Sequence, residues 1–121
     1  MGGVLHSVLS AQLALEQFEA EIRETATHQQ WWESLARAFP QFGFSGAFFY
    51  LDEVVHHSGL DTGYQVRIDF PGHGHINLWR ASDVKGRNAA GVLFLDSVAR
   101  IFREKLAGCE SAKLRSGTHD N

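Results

Sequence analysis

Hydrophobic positions in the first third of the chain follow the spacing of one face of a helix. The apolar side chains recur in steps of three and four, and they are Val4, Val8, Ala11, Leu15, Phe18 and Ile22. The same phase continues to position 39, with polar residues in the middle and aromatic residues at the end. Pro40 cannot continue a helical hydrogen-bond ladder. We therefore predict one long helix over residues 4–39, bent near residues 25–27.

This helix is longer than a small sheet can cover, because roughly 34 residues at ~1.5 Å each extend about 50 Å. Its first half needs another partner, which is either the rest of the subunit or a second chain. We expect a homodimer formed through this helix. The predicted interface residues are Val8, Leu15, Phe18, Ile22 and Trp31.

Three later segments have strand patterns. Residues 44–53 are rich in aromatic side chains and predict a strand buried on much of both faces. Residues 64–70 alternate apolar and polar side chains, and residues 76–79 do the same. Residues 56–63 are interpreted as a loop. The pattern predicts a three-stranded antiparallel meander.

The register of the predicted hairpin follows from keeping its apolar side chains on one face. A three-residue loop at 72–74 places Ile68 opposite Leu78, with Gly74 in the left-handed conformation. The opposite face then has Arg67 against Trp79 and Asp69 against Asn77. The candidate ligand-binding residues on that polar face are Arg67, Asp69, Asn77 and Trp79.

Helical spacing resumes after a polar connection at 82–88. The pattern predicts a helix over residues 89–106 that ends at Gly108, followed by a disordered tail at 110–121. The predicted fold class is α+β: a long N-terminal helix, a three-stranded antiparallel sheet and a C-terminal helix. The chain of 121 residues is long enough for one domain, which we place at residues 1–109.

Composition and charge restrict the functional classes. The chain has 44% hydrophobic and 21% charged residues, which is typical of a folded domain. A net charge of −3 disfavours nucleic acid as a partner. The single cysteine, Cys109, allows no intramolecular disulfide, and no apolar run reaches the ~20 residues of a membrane helix. We expect a cytoplasmic location, with membrane tethering only through a missing N-terminal region.

The histidines are the first candidates for chemistry. His73 and His75 point the same way on a strand and could bind zinc or copper with Asp69, but His56 and His57 are expected at the opposite end of the sheet. We interpret them as exposed turn histidines and predict no metal and no cofactor. Neither Cys109 nor the carboxylates at the end of the first strand have an evident catalytic partner, so we predict no catalytic residue.

The assembled layout resembles a known family over residues 13–106. It includes the helix ending in Phe42-Gly43-Phe44, an aromatic strand, and a hairpin ending in Asn77-Leu78-Trp79-Arg80. It resembles a truncated GAF-like domain, in the form found after the membrane part of bacterial undecaprenyl-phosphate sugar-1-phosphate transferases of glycosyltransferase family 4. The resemblance implies a cytoplasmic appendage to an enzyme that uses magnesium to transfer a sugar phosphate from a UDP-sugar to a polyprenyl phosphate.

Two functional hypotheses follow. The first is a non-catalytic regulatory or dimerisation domain appended to such a membrane glycosyltransferase, whose catalysis would belong to the parent protein. The second is a small-ligand sensor of GAF or PAS type that uses the polar sheet face. No catalytic residue of the transferase can be carried over to this chain.

Overall fold

The computed structural model describes residues 3–80 and 89–119, with side chains described for 9–80 and 90–109. Its elements are helix α1 (Gly3–Glu24), helix α2 (His28–Ala38), a short 3-10 helix (Phe39–Phe42), strands β1 (Gly46–Leu51), β2 (Val54–Gly59), β3 (Tyr64–Phe70) and β4 (Gly74–Arg80), and helix α3 (Ala89–His119). The four strands form one antiparallel sheet in the order β2-β1-β4-β3.

The α+β class is as expected, but the prediction of three strands is wrong because the sheet has four. The additional strand, β2, occupies most of the segment that was interpreted as a loop. It begins directly after a two-residue turn in which Asp52 and Glu53 both have positive φ, 50° and 70°. Such turns usually carry asparagine and glycine, so this sequence gives little sign of the reversal. The sheet is also not a meander, because β4 lies between β1 and β3.

The predicted N-terminal helix is divided into α1 and α2, and the break lies where a bend was predicted. Thr27 caps α2: its side chain accepts a hydrogen bond from the Gln30 amide at 3.2 Å, while the Gln30 side chain accepts one from the Thr27 amide at 3.2 Å. This reciprocal pair satisfies N–H groups that the first helical turn leaves without partners. Pro40 lies in the first turn of the 3-10 helix, where a missing N–H is tolerated.

The β3–β4 hairpin keeps the predicted apolar face but has a different register. Its three-residue turn comprises residues 71–73 instead of 72–74, so Ile68 pairs with Ile76 and not with Leu78. A shift by two residues leaves every side chain on its predicted face. The left-handed residue in the turn is Gly72, with φ of 84°, whereas Gly74 already belongs to β4.

Helix α3 is longer than predicted. The sequence pattern predicts an end at Gly108 and a disordered tail at residues 110–121, but the helix continues to His119. A single glycine costs a helix only about 1 kcal/mol relative to alanine. The residues on either side of Gly108 are mostly good helix formers, so one glycine is not sufficient to end it.

The helices cover one face of the sheet. Trp32 of α2 contacts Phe49 with ring centroids 6.0 Å apart, and Phe102 of α3 contacts Phe49 at 6.2 Å and Phe70 at 6.4 Å. Helix α1 packs chiefly against α3 and α2, where Phe18 meets Phe102 at 6.5 Å. Within the described residues, no helix is both long and apolar enough to cross a membrane.

Most of the predicted interface residues of the N-terminal helix lie inside this core. The four with described side chains are Leu15 (8% exposed), Phe18 (4%), Ile22 (0%) and Trp31 (1%). The side chain of Val8 lies outside the described residues. These four side chains therefore contact the rest of their own chain, and a dimer that used them would have to open the core.

Candidate ligand-binding face

One face of the sheet is left uncovered by the described helices, and we call it the uncovered face. Successive side chains of a strand point to opposite sides, so each strand contributes every second residue to it. Its side chains belong to Phe48, Tyr50, Val55, His57, Gln65, Arg67, Asp69, His75, Asn77 and Trp79. The register places Phe48 between His57 and Asn77, and Tyr50 between Val55 and His75.

Aromatic and imidazole rings occupy the centre of the uncovered face. His75 lies beside both Phe48 and Tyr50, with ring centroids 5.8 Å and 5.7 Å away. Trp79 meets His57 edge-on at 6.2 Å. Cross-strand ring contacts of this kind stabilise a sheet, and rings that stay partly exposed also give a flat ligand a surface to pack on.

All four candidate ligand-binding residues lie on the uncovered face, but two of their predicted pairings are wrong. Arg67 pairs with Asn77 instead of Trp79, and Asp69 pairs with His75 instead of Asn77. The physical reason is the two-residue change in hairpin register. Arg67 donates a hydrogen bond from Nε to Asp69 Oδ1 at 2.8 Å, so the two charges offset each other along β3.

A shallow hollow of about 650 Å³ lies at the hairpin end of this face. Tyr50, Arg67, Asp69 and His75 contribute to its lining, whereas Asn77 and Trp79 lie outside it. Burial lowers the pKa of His75, and the nearby Arg67 guanidinium lowers it further, although Asp69 acts in the opposite direction. His75 is therefore neutral at pH 7, so its imidazole can donate one hydrogen bond and accept another.

The connection between β2 and β3 crosses the opposite end of the face. It has to pass from one edge of the sheet to the other within residues 60–63. A Cβ atom on Gly46 would overlap the carbonyl of Leu60, so glycine at this position lets the connection lie directly against β1. The Leu60 amide also donates to the Ser45 carbonyl at 2.9 Å. This crossing gives the uncovered face a wall at one end.

Asn77 lies on the central strand β4, between Phe48 and Arg67. Its side-chain oxygen is buried and has no hydrogen-bond partner in the described part of the chain. A buried acceptor without a partner costs about 1–3 kcal/mol.

A second cluster, which the sequence pattern does not predict, lies at the turn end of the sheet. Asp52 accepts hydrogen bonds from His28 Nε2 at 2.8 Å and from His73 Nδ1 at 2.7 Å. Partial burial acts to raise the pKa of Asp52, but the hydrogen bonds from His73 and His28 together outweigh it and lower the pKa below its usual range. Both carboxylate oxygens are occupied, so Asp52 joins two hairpin turns to the start of α2.

The position of His56 also differs from the prediction. His56 was expected in an exposed loop, but it lies on β2 and stacks on Trp32 with ring centroids 5.4 Å apart and planes at 6°. Among the described residues, no group of three or more His, Cys, Asp or Glu side chains is arranged to hold a metal ion. The magnesium that the transferase resemblance implies for a parent enzyme therefore has no counterpart in the described structure.

Comparisons of this chain with protein-family models, with curated proteins and with solved structures gave no match. The resemblance to a GAF-like domain stays a prediction.

Proposed function

We propose that this chain is a non-catalytic regulatory module that binds a small ligand on its uncovered face. The observation that carries the proposal is the grouping of the four candidate residues with partly exposed rings on one side of the sheet. The helices bury the other side, so this is the sheet surface that a ligand can approach.

The chemistry of the face favours an uncharged ligand with a flat apolar surface. Arg67 and Asp69 offset each other, and the lowered pKa of His75 leaves that imidazole neutral. The rings of Phe48 and Tyr50, both on β1, supply apolar packing beside His75. Sites of this type combine apolar lining with a few placed polar groups that set orientation.

A thermal-shift screen against uncharged nucleosides, sugars and aromatic metabolites tests this proposal. A ligand that binds only the native state stabilises it by RT ln(1 + [L]/Kd), so the melting temperature rises with ligand concentration. We expect hits whose stabilisation is lost in Tyr50→Ala and is retained in Leu13→Ala, a control at a residue of α1 that is 61% exposed. A screen without hits, or hits indifferent to Tyr50→Ala, would contradict the proposal.

The second candidate function is the regulatory appendage that the resemblance implies, located on the cytoplasmic side of a membrane enzyme. One observation favours it: Leu9 and Leu13 lie one turn apart on α1 and are 50% and 61% exposed. Leu9 and Leu13 are therefore available to contact another part of a longer chain, whereas the opposite face of α1 is packed in the core. The upstream reading frame tests it, since an in-frame multi-span segment supports this role and an independent start codon contradicts it.

A further inference from the structure

Strand β2 forms one edge of the sheet. Its only strand partner in the described part of the chain is β1, so its other side faces outward. An edge strand presents a row of backbone N–H and C=O groups that can pair with another chain.

The β1–β2 turn decides which residues face outward. In a hairpin with a two-residue turn, the pair that flanks the turn is hydrogen-bonded, and bonded and non-bonded pairs then alternate. Leu51 and Val54 flank this turn. The backbone groups of Val54 and His56 therefore point towards β1, whereas those of Val55 and His57 point away from the sheet.

The two edge strands of the sheet differ in whether they carry features that prevent pairing with another chain. Strand β3 carries Arg67 and Asp69 and is followed directly by Pro71, and charges and proline are features that prevent edge pairing. Strand β2 reads VVHHSG and contains no lysine, arginine, aspartate, glutamate or proline. The side chain of Val55 on this strand is 55% exposed. The β2 edge is thus the unprotected one.

We propose that a second copy of this chain pairs with β2 in antiparallel orientation across a two-fold axis. Such an interface is self-complementary. Val55 of the first copy lies opposite His57 of the second, and His57 of the first copy lies opposite Val55 of the second. Both residues point to the uncovered face, so the register keeps like faces together. The two-fold axis passes between His56 of one copy and His56 of the other, and no lysine, arginine, aspartate or glutamate of β2 lies against its own copy.

The resulting dimer has one continuous eight-stranded sheet. The uncovered faces of the two copies lie side by side on the same surface, so the two candidate ligand sites share one platform. This inference does not depend on the proposed ligand, because the backbone pairing uses groups at the edge and not on the face.

Sedimentation velocity of the full chain over a concentration series tests the proposal, because a dimer depends on concentration by mass action. We expect reversible dimers. Val55→Lys should weaken association at least about tenfold, because a charged side chain on an edge strand disfavours pairing with another chain. The matched control is Val92→Lys on α3, where the valine is 63% exposed, and it should leave association unchanged. Melting curves of both variants check that each one is folded.

Hydrogen exchange identifies the surface that is used. The amides of Val55 and His57 should exchange more slowly as the protein concentration rises, while the amides at the outer edge of β3 should not change. A chain that stays monomeric up to about 0.5 mM overturns the proposal. A dimer that is equally strong in Val55→Lys and leaves these two amides unprotected also overturns it.

Discussion

The carboxylate of Asp52 and the imidazole of His73 lie 2.7 Å apart, although 21 positions separate them in the sequence. The backbone joins the same two residues, because the Asp52 amide donates to the His73 carbonyl at 2.9 Å. His28 at the start of α2 binds the other carboxylate oxygen. The two hairpin turns and a helix are thus held together by one side chain.

We expect Asp52→Asn to lower the free energy of unfolding by about 1–2 kcal/mol. Loss of the charge weakens two charge-assisted hydrogen bonds, and the partly exposed position reduces their effect relative to a buried pair. Asparagine tolerates the left-handed backbone of this residue, so the substitution tests the side chain and not the turn. Urea denaturation measures the change. Asp61→Ala, at an exposed residue of the β2–β3 connection, is the control and should have almost no effect.

The contribution of Asp52 should depend on pH in the acid range. Its pKa in the folded state is lower than its ordinary value of about 3.8, so the stabilisation is fully present above that value and is lost as the pH falls through the folded-state pKa. The stability difference between wild type and Asp52→Asn should be fully developed at about pH 5 and shrink below about pH 4. A difference that grows on acidification would contradict the assignment.

The capping box of α2 gives a local test. Thr27→Ala should lower the free energy of unfolding by about 1 kcal/mol, because the Gln30 amide loses the acceptor that the threonine side chain supplies. Thr62→Ala replaces an exposed threonine in the β2–β3 connection and should change stability by less than about 0.5 kcal/mol. Equal effects of the two substitutions in chemical denaturation would argue against the cap.

Two glycine-to-alanine substitutions should act in opposite directions. Gly46→Ala places a Cβ atom on the Leu60 backbone, which cannot move without displacing the connection, so we expect a loss of about 2 kcal/mol or more. Gly108→Ala meets no atom within 4 Å and lies inside α3, so it should stabilise the protein by up to about 1 kcal/mol. Thermal denaturation of both variants compares them directly.

The sequence predicts the faces of this fold better than its connections. Alternation at Ile68 and Phe70 indicates which side of β3 is buried, because a one-residue slip would expose the whole apolar set. A two-residue slip leaves the faces unchanged, so the pattern could not distinguish Arg67 opposite Trp79 from Arg67 opposite Asn77. The candidate face was predicted for this reason, and its cross-strand pairs were not.

The missing strand and the missed cluster share a physical cause. The turn at Asp52 and Glu53 has a left-handed conformation without glycine, and tertiary contacts help to hold it through the bonds of Asp52 with His28 and His73. Such contacts between distant residues have no periodic signal in one sequence. The strand that follows was hidden for the same reason, since its inward positions include His56, a polar residue that packs on Trp32.

Amide chemical shifts measured during titration with the strongest hit of the thermal-shift screen show whether the uncovered face is the ligand-binding surface. We expect the largest changes in chemical shift on strands β1 and β4, at Phe48, Tyr50, His75 and Asn77, and we expect Tyr50→Ala to abolish them. Changes confined to the helices, or changes that persist in Tyr50→Ala, would contradict it.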